Sequence, residues 1–261
     1  GGQAQVATVL FSDIRSFTAL SEKMTPEENF SFINSYLHEV GPIIRKNKGF
    51  IDKYIGDAIM ALFPGKPEDA VLAALDMKRK IREYNEGRRQ AGYAAIDIGI
   101  GIHTGTLMLG IIGEVERMEG TVISDNVNLA SRVEGLTKVY GAGIIVSEAT
   151  LKKIPDPEKY ECRFLDRVKV TGKQQPVQVF EVFEGDPDHV RQLKRQTKAD
   201  FEKGIGLYCN GKPQEALELF TRVIKVNSGD KAAALYIKRC ENFIKLGIPA
   251  DWSGIEEMTS K

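Results

Sequence analysis

The sequence predicts an α+β protein, a ferredoxin-like βαββαβ domain with added C-terminal strands, followed by a short all-α helical extension. Three observations point there. β-rich runs and helix-period segments follow one another as strand, helix, strand, strand, helix, strand. A capped helix start at "TPEE" and a Gly-Asp turn at positions 56 and 57 mark two of the junctions. After about residue 187 the strand signal stops and only helical periodicity remains.

The elements can be justified in order. Val6 to Phe11 is β-rich and runs into the polar "SDI". Thr25 then reads as an N-cap, with Pro26 at the first helical position and Glu28 completing a capping box. Phe30, Ile33, Leu37, Val40 and Ile44 form the expected apolar face of this helix, which Pro42 should kink and Gly49 should end. "FIDKYIGDAIMALF" reads as a hairpin turning at Gly56-Asp57. Pro67 starts a second helix, with Ala70, Ala74, Met77 and Ile81 on one side, running to about Gln90. "AAIDIGIGIHTGTLMLGIIG" reads as two strands around a turn at His103-Thr104-Gly105. A third helix is expected from Ser124-Asp125, then a strand in "AGIIVS", then a last hairpin from Tyr160 to Phe183 turning at Thr171-Gly172.

Three segments follow: an α+β domain over 4–185, a tetratricopeptide-like helical extension over 187–247, and a flexible tail over 248–261. The repeat likeness rests on Gly204, Leu207, Gly211, Ala216 and Phe220. One clear repeat plus a following helix is too little to stack as an independent solenoid, so the extension is expected to pack on the domain or on a protein partner.

Composition excludes several classes. Lys+Arg and Asp+Glu both number 36 in 261 residues, which argues against broad nucleic-acid or anionic-membrane binding. At 42% hydrophobic and 28% charged the chain has ample material for a core. Cys162, Cys209 and Cys240 form no CxxC pair, and His38, His103 and His189 show no metal spacing, so neither a disulfide framework nor zinc is expected. No apolar run approaches the roughly 20 residues that span a bilayer. The opening Gly-Gly before a strand reads as the remnant of an excised cytoplasmic catalytic portion. The parent is then free to carry a membrane anchor and an upstream regulatory domain.

Two acids are the first candidates for chemistry. Asp13 or Asp57 alone reads as a cap or turn acid. In the expected topology, however, the first strand and the strand after the Gly-Asp turn are antiparallel neighbours, so the two acids meet at one end of the sheet. Paired carboxylates suit Mg²⁺, and the Ile14 carbonyl offers another oxygen. Asn128 and Arg132 are spaced i,i+4 on one helix face: an exposed polar face, or an amide for a sugar and a guanidinium for a phosphoryl group. "GLYCNGKP" has a P-loop skeleton but ends in Pro213 and lies between helices. "GIGIHTG" lacks Rossmann spacing, and its glycines read as room for tight packing.

"LFSDIRSFT", "DKYIGDAIMALF", "GIGIHTG" and "GTVISDNVNLASRVE", in that order, resemble the motifs of the class III nucleotidyl cyclase catalytic domain. The helical tail is similar to tails on bacterial members. The resemblance implies a homodimer with sites at the subunit interface and two divalent cations per site, Mg²⁺ or Mn²⁺. It makes Asp13 and Asp57 the metal ligands, Lys53 and Thr121 the readers of the purine, Asn128 the ribose-orienting residue and Arg132 the residue that stabilises the transition state. The metal acids would come from one subunit and the other four from its partner. Lys53 only donates and suits adenine N1, while Thr121 can accept from N6, so ATP is expected over GTP.

Two departures bear on binding. The family's triphosphate lysine lies in a "VKGK"-like turn, whereas here Thr171 stands at that place in "VTGK", leaving Lys173 or Lys169 to substitute. Gly120 stands where many bacterial members have an aromatic, which leaves the adenine pocket less filled. The implied activity is an adenylate cyclase making cyclic AMP and pyrophosphate from ATP. The alternatives are a guanylate cyclase, against which the missing Glu/Cys pair counts, a diguanylate-type cyclase, for which a GGDEF-like hairpin is missing, and a catalytically inactive module acting through its tail.

Overall fold

The computed structural model describes residues 2–114, 117–170 and 172–258, and the side chains of these residues other than 112–119 and 121. The chain divides into two compact units, Gly1–Gly135 with Ala149–Pro157, and Leu136–Glu148 with Glu158–Lys261.

The first unit runs β1 (Gly2–Ile14), α1 (Phe17–Ser21), α2 (Pro26–Lys46), β2 (Phe50–Ile55), β3 (Ala58–Phe63), α3 (Pro67–Gln90), β4 (Ile98–Glu114) and β5 (Arg117–Ile123), and takes in most of α4 (Asp125–Tyr140) and α5 (Glu148–Leu151). Its strands lie in the order β2-β3-β1-β4, antiparallel throughout, with β5 paired to β4. The expected strand and helix order is present, with α1 added. The capping box of α2 forms as its sequence requires: the Thr25 amide donates to Glu28 Oε2 at 2.8 Å and the Glu28 amide to Thr25 Oγ1 at 3.2 Å.

Register decides which face each β1 side chain takes. Thr8, Leu10, Ser12 and Ile14 share one buried face, on which Ser12 Oγ lies 3.4 Å from the buried Tyr36 hydroxyl of α2. Ala7, Val9 and Phe11 point the other way, into a core with Met60, Leu62, Leu107 and Ala130.

Four expectations need correction. Strand β1 extends past Phe11 and includes "SDI". "GIGIHTG" is no turn: it lies inside the single strand β4, with His103 and Thr104 buried. Its glycines serve the approach of α4, since a Cβ on Gly101 would sit 2.1 Å from the Glu134 amide nitrogen. Phe30 is 72% exposed, because the buried stripe of α2 runs through Phe32, Tyr36, Val40, Ile43 and Ile44, with Ile33 and Leu37 half-buried at its margin. Finally, α2 ends at Lys46, short of Gly49, and the left-handed residue after it is Lys48 at φ 67°. Gly49 is needed for space, as a Cβ there would meet the Phe63 ring at 2.4 Å.

The second unit holds β6 (Ile144–Ser147), β7 (Cys162–Val170), β8 (Val177–Val182) and β9 (Glu256–Met258), in the order β6-β8-β7-β9, with β7 and β9 parallel. Helices α6 (Asp188–Cys209), α7 (Pro213–Val226) and α8 (Lys231–Leu246) belong to this unit and share an aromatic core of Phe201, Tyr208, Phe220 and Tyr236. After Ile248 the described chain runs on to Met258. Trp252 packs on Tyr208 and Phe243 and donates to the Cys209 carbonyl at 3.1 Å, and β9 joins β7.

Candidate active site

The site starts where β1 ends. Alternation places Asp13 on the Phe11 face, next to the turn that opens β3. That turn needs Gly56 at φ 63°, in the left-handed region, and it presents Asp57. The Ile14 amide donates to Asp57 Oδ2 at 3.0 Å, fixing the carboxylate against the end of β1. Burial, then a hydrogen bond to Asp13, then the Asp13 charge push the Asp57 carboxyl up to about 7. The structure thus brings Asp13, Ile14 and Asp57 together as expected. A pair of carboxylates that crowd each other in this way is a fitting donor set for a hard divalent cation, which would relieve the repulsion. Among the described residues no cluster of three or more His, Cys, Asp or Glu forms, so further ligands would be carbonyl, substrate and water oxygens.

Lys53 reaches the same face through a bulge. Ile51 pairs with Ala61 and Lys53 with Met60, so Asp52 is the extra residue between them. Ile51 therefore faces α2, where its Cδ1 lies 3.7 Å from the Cβ position of Gly41, while Lys53 takes the side of Met60 and the Phe11 cluster. Lys53 is 47% exposed, with Asp52 3.5 Å away.

Helix α4 lies on this face too. His103 Nε2 is 2.9 Å from Asn126 Oδ1, and Asn126 Nδ2 and Ser124 Oγ donate to the Thr106 carbonyl at 2.9 and 2.8 Å. A Cβ on Gly105 would meet the Asn126 amide group at 2.5 Å. These contacts seat the start of α4 against β4, and from it project Asn128, exposed, and Arg132, half-buried. The anchors His103, Ser124 and Asn126 were missed at the sequence level. One signal was available: Gly99, Gly101 and Gly105 share a parity, which leaves one strand face bare for a helix.

The remaining candidates lie on other elements. Thr121 sits on β5 opposite Gly110, with its side chain outside the described set. Lys173 belongs to the second unit, in the turn between β7 and β8, where its amide donates to the Val170 carbonyl at 3.0 Å. Thr171 lies outside the described residues. Lys169 is 3.9 Å from Glu257. A groove of 920 Å³ along α2 and α3, lined by Phe32, Tyr84, Arg88 and Tyr93 among others, shares no residue with the site. Among the described residues no helix is long and apolar enough to cross a membrane.

Comparison with known proteins follows the same stretch of chain. The adenylate and guanylate cyclase catalytic domain model matches residues 2–182. An adenylate cyclase of Anabaena cylindrica is 45% identical over 181 residues, which is 67% of this chain and 36% of that protein. The terminal-differentiation-specific adenylate cyclase of Dictyostelium discoideum is 38% identical over 245 residues, 91% of this chain and 11% of that protein. The chain therefore spans well under half of either relative. The crystal structure of an adenylyl cyclase from P. aeruginosa superposes with a TM-score of 0.63 at 35% identity, covering 70% of this chain and 95% of the other. A guanylyl cyclase structure gives 0.61 at 32%, covering 70% and 93%.

Proposed function

This chain belongs to the adenylate and guanylate cyclase catalytic domain family, and from that premise we propose that it is an adenylate cyclase, converting ATP to 3′,5′-cyclic AMP and pyrophosphate. The observation that carries the reading is the Asp13–Asp57 pair at the end of β1, on the face that also presents Lys53 and the helix of Asn128 and Arg132. The βαββαβ order of the first unit, with its 2-3-1-4 sheet, supports the ferredoxin-like reading.

Each residue has a defined task. Asp13 and Asp57, with the Ile14 carbonyl, would hold two divalent cations, Mg²⁺ or Mn²⁺. When bound, these supply charge neutralisation of the triphosphate and a lower pKa for the ribose 3′-hydroxyl. Lys53 donates to adenine N1 and Thr121 accepts from N6, a pairing that guanine reverses. Asn128 orients the ribose so that the 3′-oxygen stands in line with the α-phosphorus. Because nucleophile and target are in one molecule, that orientation is a large part of the rate. Arg132 puts a fixed guanidinium against the charge that grows on the phosphoryl oxygens. Lys173 reaches the triphosphate in place of the absent turn lysine. These parts are divided between two copies of the chain, acids from one and the other residues from its partner.

The extension retains a repeat-like feature. Gly204 lies under the Phe220 ring, where a Cβ would approach to 2.9 Å, and this supports reading α6 and α7 as a tetratricopeptide-like pair.

The test is direct. Purified chain is incubated with ATP or GTP and Mn²⁺ or Mg²⁺, and cyclic nucleotide and pyrophosphate are measured. Cyclic AMP in excess of cyclic GMP is expected. Faster cyclic GMP formation would overturn the base assignment, and neither product would leave only a non-catalytic module.

A further inference from the structure

Strand β7 carries charges that a surface strand would not bury. Arg163, 2% exposed, donates through Nε to Glu181 Oε2 at 2.6 Å and through both Nη atoms to Asp230 at 2.7 and 3.0 Å. Its guanidinium also lies 4.0 Å from the centre of the Phe201 ring, and Glu181 takes a further bond from Lys194. The next residues continue the pattern. The Phe164 amide donates to Glu202, and Tyr236 donates to the Leu165 carbonyl at 2.6 Å. Asp166 Oδ2 accepts from the Tyr140 hydroxyl at 2.5 Å and from Arg239 Nη1 at 2.7 Å. Lys194, Phe201, Glu202, Asp230, Tyr236 and Arg239 all come from α6, α8 or the cap of α8. Buried charges of this kind are tolerable only while every partner is present.

Tyr140 is the last residue of α4, the helix that bears Asn128 and Arg132. We propose that the C-terminal helices are a positioning element of the active site, in which Arg239, through Asp166, holds Tyr140 and so fixes the far end of the catalytic helix. This rests on the roles given above to Asn128 and Arg132. Helix α4 is seated at its start by Asn126 and at its end by Tyr140, and Arg132 stands between the two anchors. The family model ends at residue 182, yet the similarity to the Dictyostelium protein spans 245 residues and so runs on into the extension. Arg239 and Asp166 are positioning residues on this account, since neither is given a contact to substrate.

Two changes in the full chain test it. Asp166→Asn with Arg239→Met removes both charges together and leaves neither buried alone, while Tyr140→Phe removes one hydroxyl and keeps the Asp166–Arg239 pair. Amide hydrogen exchange across α4 and steady-state kinetics with ATP and Mn²⁺ are measured beside circular dichroism. Native-like circular dichroism, faster exchange in 125–135, and a kcat lower by about 10- to 100-fold at little-changed KM are expected. Arg239→Lys should recover part of the rate. Wild-type exchange and wild-type kcat in the folded variants would overturn the proposal, as would a double variant whose activity returns with its stability. If the double variant does not fold, Tyr140→Phe decides. If the unmodified chain makes no cyclic nucleotide, the cyclase reading fails, and the exchange rates alone decide the positioning role.

Discussion

Asp57 is the residue at which function costs stability. With its carboxyl raised from 3.8 to about 7, the folded chain without metal holds this proton more tightly than the unfolded chain does. The stability it contributes is therefore full below pH 3.8 and lost as pH rises through about 7. Asp57→Asn should raise the midpoint of thermal unfolding at neutral pH without metal by a few degrees at most, about what 1 kcal/mol or less gives. It should also abolish the stabilisation by Mn²⁺ and lower kcat by about 100-fold or more. An unchanged response of the unfolding midpoint to Mn²⁺ would remove Asp57 from the metal site. Lys53 and Thr121 carry a separate prediction: Lys53→Glu with Thr121→Cys should shift the ratio of cyclic AMP to cyclic GMP toward the latter, whatever the overall rate. A ratio left at the wild-type value contradicts the base reading.

Elements explain why some of this was legible in the sequence and some was not. The meeting of Asp13 and Asp57 follows from strand order and a Gly-Asp turn, both written locally. The side taken by Lys53 does not: strict alternation would put it with Ile51 against α2, and only the bulge at Asp52 separates the two. The span of β4 is hidden in the sequence for a related reason. Its glycines look like turn residues, but their purpose is set by a helix that follows far along the chain. Phe30 fits the apolar spacing of α2 yet lies outside its buried stripe, because spacing alone does not choose between two adjacent stripes. The close approach of α4 gives this scale its test. Gly101→Ala forces a methyl to within 2.1 Å of the Glu134 nitrogen, so α4 must move. A loss of about 1–3 kcal/mol in stability is expected, with a larger proportional fall in kcat than in ATP affinity. Wild-type stability and rate would show that α4 is not seated on that glycine.

At the scale of the whole molecule, the residues assigned to the site lie on separate elements: the end of β1, strand β2, the turn before β3, and α4. Asp13 and Asp57 contact each other, whereas Lys53 and Asn128 remain exposed. The balanced charge of the chain argues against broad capture of a polyanion. The helical extension belongs to the same compact unit as the β7–β8 hairpin, and the two share a buried charge network. That network was not readable in advance, because its members lie far apart in sequence and each resembles an ordinary surface charge. The central claim is the shared site, and the most direct measurement mixes two inactive chains. Asp57→Ala and Arg132→Ala, each nearly inactive alone, should regain cyclic AMP synthesis on mixing, since each heterodimer holds one intact site. A mixture that stays inactive while native mass spectrometry shows heterodimers would contradict the account.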